Sequence, residues 1–194
     1  MLFGQGAQPV YALDGSDGDA GYVIVQTSDA VVSSDGSMFI PISSYEEGDL
    51  VVIADSLGNL PGGLTEQKLA QMTSSSTFVP PRSTRASYAY FAYSANNWSN
   101  AYSGWSAIGF GSSATVRYNF AAAAGTSQWN AGQGLGYYLG YNGSQFGVWS
   151  QWYNLGGASE NGGGASVPWG SVIAVTKFRA KCATSTICGG YFWN

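Results

Sequence analysis

The chain has no histidine and only two cysteines among its 194 residues. The absence of histidine excludes a Ser-His-Asp catalytic triad and a His-ligated zinc site. It also removes the side chain that most often acts as a general base in enzymes. Two cysteines are too few for a four-cysteine zinc site. No glycine-rich stretch carries the lysine of a phosphate-binding loop. We therefore expect a non-enzymatic protein that needs neither a metal nor a cofactor.

Charge is the second scarcity. The 74 residues from Ala86 to Ser159 carry one charged side chain, Arg117, yet they hold 18 of the chain's 29 aromatic residues. A segment with so much apolar surface does not remain disordered. It is also poor material for acid–base catalysis, which needs titratable groups. Its aromatic and β-branched content predicts β structure that contacts a partner.

Carboxylates leave one enzymatic alternative, a jelly-roll glycoside hydrolase. Such an enzyme needs two carboxyl groups about 5–10 Å apart across a cleft. The acids available for this role are Glu46, Glu47, Glu66 and Glu160. The first two are typical of a turn before a strand, and the last lies in a Gly-rich loop that is poorly suited to holding a catalyst.

The charges that are present are unevenly distributed. Met1 to Gln67 contains ten acids and no base, whereas Lys68 to Asn194 contains seven bases and one acid. The two parts either attract each other within one subunit or join neighbouring copies. Lys177, Arg179 and Lys181 are the candidate basic interface. The pI near 4.5 opposes nucleic-acid binding, which needs a dominant basic surface.

Periodicity predicts an all-β fold, an antiparallel β-sandwich or jelly roll, because short strands alternate with Gly and Ser turns. The predicted strands are Tyr22–Gln26, Ser37–Ile42, Asp49–Ala54, Tyr88–Tyr93, Ala114–Phe120 and Val172–Cys182. Tyr88–Tyr93 is apolar on both faces, which favours a central position in a sheet. For Leu64–Met72, periodicity does not decide between helix and strand.

The first 20 residues lack any periodicity and are predicted to form an N-terminal arm that packs against another chain or surface. Residues 21–194 then form one domain, a size at which a substantial core is buried. Near the end of the chain, Cys182 and Cys188 either form a disulfide or remain two buried thiols. The residues leave both states open.

The aromatic residues fit sugar binding, because pyranose rings stack on Trp and Tyr while Asn, Gln and Ser bind their hydroxyl groups. The candidate glycan-binding rings lie in Gly-, Ser- and Asn-rich stretches and are Trp98, Trp105, Trp129, Trp149 and Trp152. The alternative for each ring is a place in the core or in a subunit interface. One core hardly accommodates 18 rings, so we expect an exposed cluster.

Residues 22–59, with Ile40-Pro41-Ile42 and the strand Gly48–Ile53, resemble the opening of small β-sandwich surface domains in tailed-phage virion proteins. The resemblance implies head decoration or a receptor-binding tail fibre, a virion location, and other virion proteins as partners. The charge asymmetry separately predicts a homo-oligomer, a trimer or higher, and the Trp- and Tyr-rich loops predict contact with host glycan. The resemblance transfers no catalytic residue. A carbohydrate-binding adhesin outside a virion is the alternative.

If this interpretation is right, we expect the protein to be synthesised in the cytoplasm of a host cell. Its start, Met1-Leu-Phe-Gly-Gln5, lacks the basic residues that open a signal peptide. No apolar run approaches the length that crosses a bilayer, so we expect no membrane insertion.

Overall fold

The computed structural model describes residues 21–74, 86–93 and 97–194. These residues form twelve strands in two sheets with one α-helix, so the predicted all-β class is confirmed. The predicted N-terminal arm, residues 1–20, lies outside the described residues, as does the Pro-containing segment 75–85.

The strands follow one another along the chain with short turns between most of them. Their bounds are β1 Tyr22–Gln26, β2 Val31–Val32, β3 Met38–Pro41, β4 Leu50–Ala54, β5 Ser87–Ala92, β6 Tyr102–Ile108, β7 Thr115–Ala122, β8 Asn130–Tyr141, β9 Phe146–Ala158, β10 Gly163–Pro168, β11 Val172–Cys182 and β12 Cys188–Trp193. The helix α1 spans Glu66–Ser74, so the ambiguous segment 64–72 is helical from Glu66 onward.

The larger sheet has the order β1-β4-β11-β8-β9-β3-β2, and β6 also pairs with β11. The smaller sheet has the order β10-β7-β12-β5. Most pairs are antiparallel as predicted, but β1–β4 and β4–β11 are parallel. After β1 the chain forms β2 and β3 at the far side of the sheet before it returns to β4, which is the crossover a parallel pair requires. Contacts between β1 and β3 curl the sheet.

Aromatic rings from both sheets interlock in the core. Phe178 of β11 stacks on Phe192 of β12 with ring centroids 4.7 Å apart, and it contacts Phe120 of β7 at 5.5 Å. Tyr118 of β7 is fully buried, and its hydroxyl donates to the carbonyl of Leu135 in β8 at 2.8 Å. The two sheets therefore share one hydrophobic core.

Glycines of β8 make room for these rings. Gly132, Gly134 and Gly136 lie at every second position and thus on one face of the strand. A Cβ atom at Gly132 would lie 2.9 Å from the rings of Phe120 and Phe178, and one at Gly134 would lie 2.9 Å from Tyr118. We call such a position a glycine seat: a glycine against which a side chain from elsewhere in the chain packs so closely that a Cβ atom would overlap it.

A second, smaller core lies on the other side of the larger sheet. Leu69 and Met72 of α1 pack there against Leu50, Val52 and Ile173. The Thr65 hydroxyl accepts the backbone N–H of Lys68 at 3.3 Å and caps the start of the helix.

The strand predictions are confirmed for β1 and β11, whose bounds match, and Arg117 lies exposed on the polar face of β7. The prediction of a central strand at 88–93 is wrong, because β5 is the last strand of the smaller sheet. Its outward Phe91 is 54% exposed and lies on Gly189 of β12. A strand with apolar residues on both faces is thus not necessarily buried on both faces.

Candidate functional site

The five tryptophans predicted to bind glycan have different environments. Trp105 is only 9% exposed and packs against Tyr118 with ring centroids 5.4 Å apart. Its prediction as an exposed ring is wrong. It occupies an inward position of β6, alternating with half-buried residues and followed two positions later by the buried Ala107.

Trp129 has the environment that the prediction required. It is 48% exposed and lies just before β8. A Cβ atom at Gly157 of β9 would overlap its indole, with the ring atom Cε2 only 2.6 Å away. The backbone N–H of Trp129 donates to the Thr184 hydroxyl at 3.0 Å, and its carbonyl accepts the N–H of Ala183 at 2.8 Å. Trp129 therefore lies on a glycine seat that is open to solvent.

Trp149 belongs to a second aromatic surface. It lies directly across from Tyr138 on the β8–β9 hairpin, and the two rings are almost parallel, at 9° with centroids 6.2 Å apart. Tyr138 is 40% exposed, and Trp149 is half-buried against Phe39 at 4.8 Å. These two rings present similar orientations on one face of the hairpin.

Trp98 and Trp152 are instead engaged by cations of the predicted interface. The guanidinium carbon of Arg179 lies 4.3 Å from the ring centroid of Trp152 and 5.4 Å from that of Trp98. The Lys181 ammonium lies 5.0 Å from the same Trp98 ring. Such cation–π contacts contribute about 0.5–2 kcal/mol each, depending on how far the pair is desolvated. The structure thus joins two sets of residues that the sequence assigned to separate roles.

Arg179 also has polar partners in its own subunit. Its Nε–H donates to Gln133 Oε1 at 2.7 Å, and Nη1 donates to the backbone carbonyl of Asp35 at 3.3 Å. Partial burial lowers the pKa of the Arg179 guanidinium, and the charge of Asp35 partly opposes that effect. Lys177 is half-buried on the same face of β11. An interface through these three cations stays a prediction.

The two cysteines form a disulfide that closes the loop 183–187 between β11 and β12. Residues of this loop form hydrogen bonds with Gln128 and Trp129, the two residues that precede β8. Thr184 accepts the N–H of Trp129, while Gln128 Nε2 donates to the carbonyl of Ile187 at 3.4 Å. We call residues 183–187 the disulfide loop. It helps to fix the seat of Trp129.

The candidate acids belong to three different parts of the fold. Glu46 and Glu47 are exposed in the turn before β4, and Glu66 begins α1. The Glu160 carboxylate accepts the backbone N–H of Gly125 at 2.7 Å and so ties two turns together. Within the described ranges, no group of three or more His, Cys, Asp or Glu side chains is placed to hold a metal ion.

Sequence reasoning did not single out Tyr138, Phe91 or Tyr191 as exposed rings. The alternating glycines of β8 were a signal for buried rings only, since Gly132 and Gly134 accommodate Phe120 and Tyr118. In the part of the chain that the structure describes, no helix is long and apolar enough to cross a membrane.

Comparisons with protein-family models, with curated proteins and with solved structures found no match for this chain. The functional proposal therefore depends on the exposed rings and on the chemistry around them.

Proposed function

We propose that this chain is a non-enzymatic surface protein of a virion that self-associates and binds host glycan through exposed aromatic rings. The observation that carries the glycan proposal is Trp129, which packs closely against Gly157 with about half of its surface open to solvent. The virion part rests on the resemblance of residues 22–59. It fits both head decoration and a tail fibre.

A seated ring is suited to sugar binding for an energetic reason. When a flexible side chain is immobilised by a ligand, its lost rotamer freedom reduces the binding free energy by about 0.5–1.5 kcal/mol. A ring that is already held on a glycine avoids part of that loss. The Trp129 backbone is also fixed at both its N–H and its carbonyl. By analogy with aromatic pairs, each stacked sugar contributes about 1 kcal/mol.

Weak single contacts make self-association part of the function. When several copies bind one surface, effective concentration raises the overall affinity without any new contact. The acidic first third of the chain and the basic row Lys177, Arg179 and Lys181 offer complementary charges for such an assembly. A lone subunit is expected to bind weakly and the multimer tightly.

A glycan array probed with the multimer tests the proposal. We expect wild type to bind at least one glycan, and Trp129→Ala and Trp149→Ala each to weaken that binding. Tyr141→Ala is the matched control, because Tyr141 is 71% exposed on the same hairpin but three residues from Tyr138, on the opposite face. If wild type binds no glycan, or both tryptophan variants bind like wild type, the glycan proposal is wrong.

The virion assignment has a separate test. An antibody against the chain should label particles released from cells that carry its gene. Labelling of the cell surface alone, with unlabelled particles, would instead support the adhesin alternative, which uses the same rings outside a virion.

A further inference from the structure

A pocket of about 260 Å³ lies on the outer face of the smaller sheet, where β12 pairs with β5. Phe91 and Tyr191 project from neighbouring strands on this face, since Phe91 pairs with Gly189 and Tyr191 with Ala89. Ile187 of the disulfide loop completes one wall. All three of these large side chains are exposed. Such a group of exposed apolar side chains indicates a binding site.

Glycine shapes this pocket as it shapes the Trp129 seat. A Cβ atom at Gly189 would lie 3.0 Å from Cδ1 and 3.2 Å from Cε1 of Phe91. The Phe91 ring therefore lies against the backbone of β12 at Gly189, which also lines the pocket. This is a second solvent-open glycine seat.

The polar part of the pocket is one amide. Gln128 accepts the N–H of Gly189 and donates to the carbonyl of Ile187, both at 3.4 Å, near the limit of hydrogen bonding. Among the described residues that line the pocket, none is charged. Apolar walls with a weakly engaged amide fit a neutral ligand that carries both a methyl group and an amide.

The pocket and the Trp129 seat are connected by residues that follow one another in the chain and by the disulfide loop. Gln128 immediately precedes Trp129, and the disulfide loop contacts the first through Ile187 and the second through Thr184. Gln128 and the disulfide loop, residues 183–187, thus link the pocket to the backbone of Trp129.

We propose that this pocket binds the N-acyl group of an acylated amino sugar. The acyl methyl group packs between Phe91 and Ile187, and the acyl amide exchanges hydrogen bonds with Gln128. The inference rests on the proposed glycan-binding function and names the sugar class that the surface selects.

Matched sugar pairs test the inference. Multimer binding is measured to immobilised N-acetylglucosamine, N-acetylgalactosamine and N-acetylmannosamine, each beside its parent glucose, galactose or mannose. We expect at least one acetylated sugar to bind tenfold or more tightly than its parent. Phe91→Ala should remove that preference, whereas Trp129→Ala should weaken both members of the pair alike. Tyr141→Ala should change neither, and Phe91→Leu should retain part of the preference.

The outcomes separate the two proposals. Equal binding of acetylated and parent sugars, or an acetyl preference that survives Phe91→Ala, overturns the pocket and leaves the glycan proposal intact. Binding of neither these sugars nor any other glycan overturns both. Unfolding midpoints of all variants, measured in parallel, identify any loss that comes from misfolding.

Discussion

The core and the surface of this protein use the same device with opposite consequences. In the core, Phe120 and Phe178 lie on Gly132 and are fully buried. At the surface, Trp129 lies on Gly157 and about half of it remains open to solvent. Glycine costs roughly 0.5–1 kcal/mol in a strand relative to alanine. In the core the packing of rings offsets this cost, whereas at the surface we propose that it is retained for binding.

The comparison explains the composition of the chain. A sequence rich in both glycine and aromatic residues resembles low-complexity material, yet here the two residue types are spatial partners. Gly134 receives Tyr118, and Gly190 receives Tyr90. The counts of glycine and of rings are therefore linked.

The largest expected difference between the core and the surface is in the stability lost when a ring is removed. Phe120→Ala empties a fully buried site and is expected to lower the free energy of unfolding by about 3–5 kcal/mol. Trp129→Ala removes a ring that is already half-exposed, so we expect a loss below about 1 kcal/mol. Urea unfolding of the two variants checks this. Similar losses for both would show that Trp129 is a core residue in energetic terms.

Reducing the disulfide should act on both environments at once. Opening the loop between Cys182 and Cys188 is expected to cost about 2 kcal/mol in the chain-entropy description of disulfides. Because the disulfide loop holds the backbone of Trp129, reduction should also weaken glycan binding. Cys182→Ser with Cys188→Ser, assayed with and without reductant, provides the control. Glycan binding that is unchanged on reduction would separate the loop from the Trp129 seat.

Alkaline pH should destabilise the core seats through their tyrosines. Burial raises the pKa of Tyr90 to about 12, with a hydrogen bond from Asn130 partly opposing the shift, and burial raises the pKa of Tyr118 and Tyr137 as well. In the unfolded chain a tyrosine has a pKa of about 10. The folded state thus holds protons that the unfolded state has lost.

The sign follows from this difference in proton binding. The contribution of Tyr90 is fully present below pH 10 and is lost as the pH rises through about 12. We expect the urea midpoint to fall as the pH is raised above 10, and Tyr90→Phe to make the fall shallower. A midpoint that stays constant up to pH 12 would contradict the burial of these hydroxyl groups.

Salt should have the smallest effect and should act on assembly. Raising ionic strength from 0.1 M to 1 M shortens the Debye length from roughly 10 Å to about 3 Å, so charge-driven self-association should weaken. Light scattering measures the mass at each salt concentration, with Lys177→Gln and Lys181→Gln as variants of lower charge. A chain that is monomeric at all salt and protein concentrations would exclude this mode of assembly.

The sequence predicted strands better than it predicted exposure. Alternation located β11 from Val172 to Cys182 and the buried face of β7, because both depend on nearest neighbours along one strand. The apolar pattern of β5 and the Gly- and Ser-rich surroundings of Trp105 both misjudged exposure, because burial there depends on which strands lie beside and above. The parallel pairs of β4 were missed for the same reason.

Local sequence patterns could not predict the glycine seats at all, because a seat joins residues that are far apart in the sequence. Trp129 and Gly157 are 28 residues apart and meet only because β8 and β9 pair with Ala131 opposite Gly157, a register that shifts between Gly132 and Gln133. A shift of that register by one residue would turn the side chains of a strand to the opposite face. Local sequence thus supplied the rings and the glycines, and the long-range register decides which ring meets which glycine.

The central claim is that a surface glycine holds a binding ring, and Gly157→Ala tests it most directly. The backbone conformation of Gly157 is one that alanine also adopts. The added methyl group therefore acts chiefly by displacing the Trp129 indole. Affinity of the Gly157→Ala multimer is measured for a glycan that wild type binds. We predict a loss equal to that of Trp129→Ala, with no further loss in the double variant and an unfolding midpoint close to wild type. Wild-type affinity in Gly157→Ala would contradict the account.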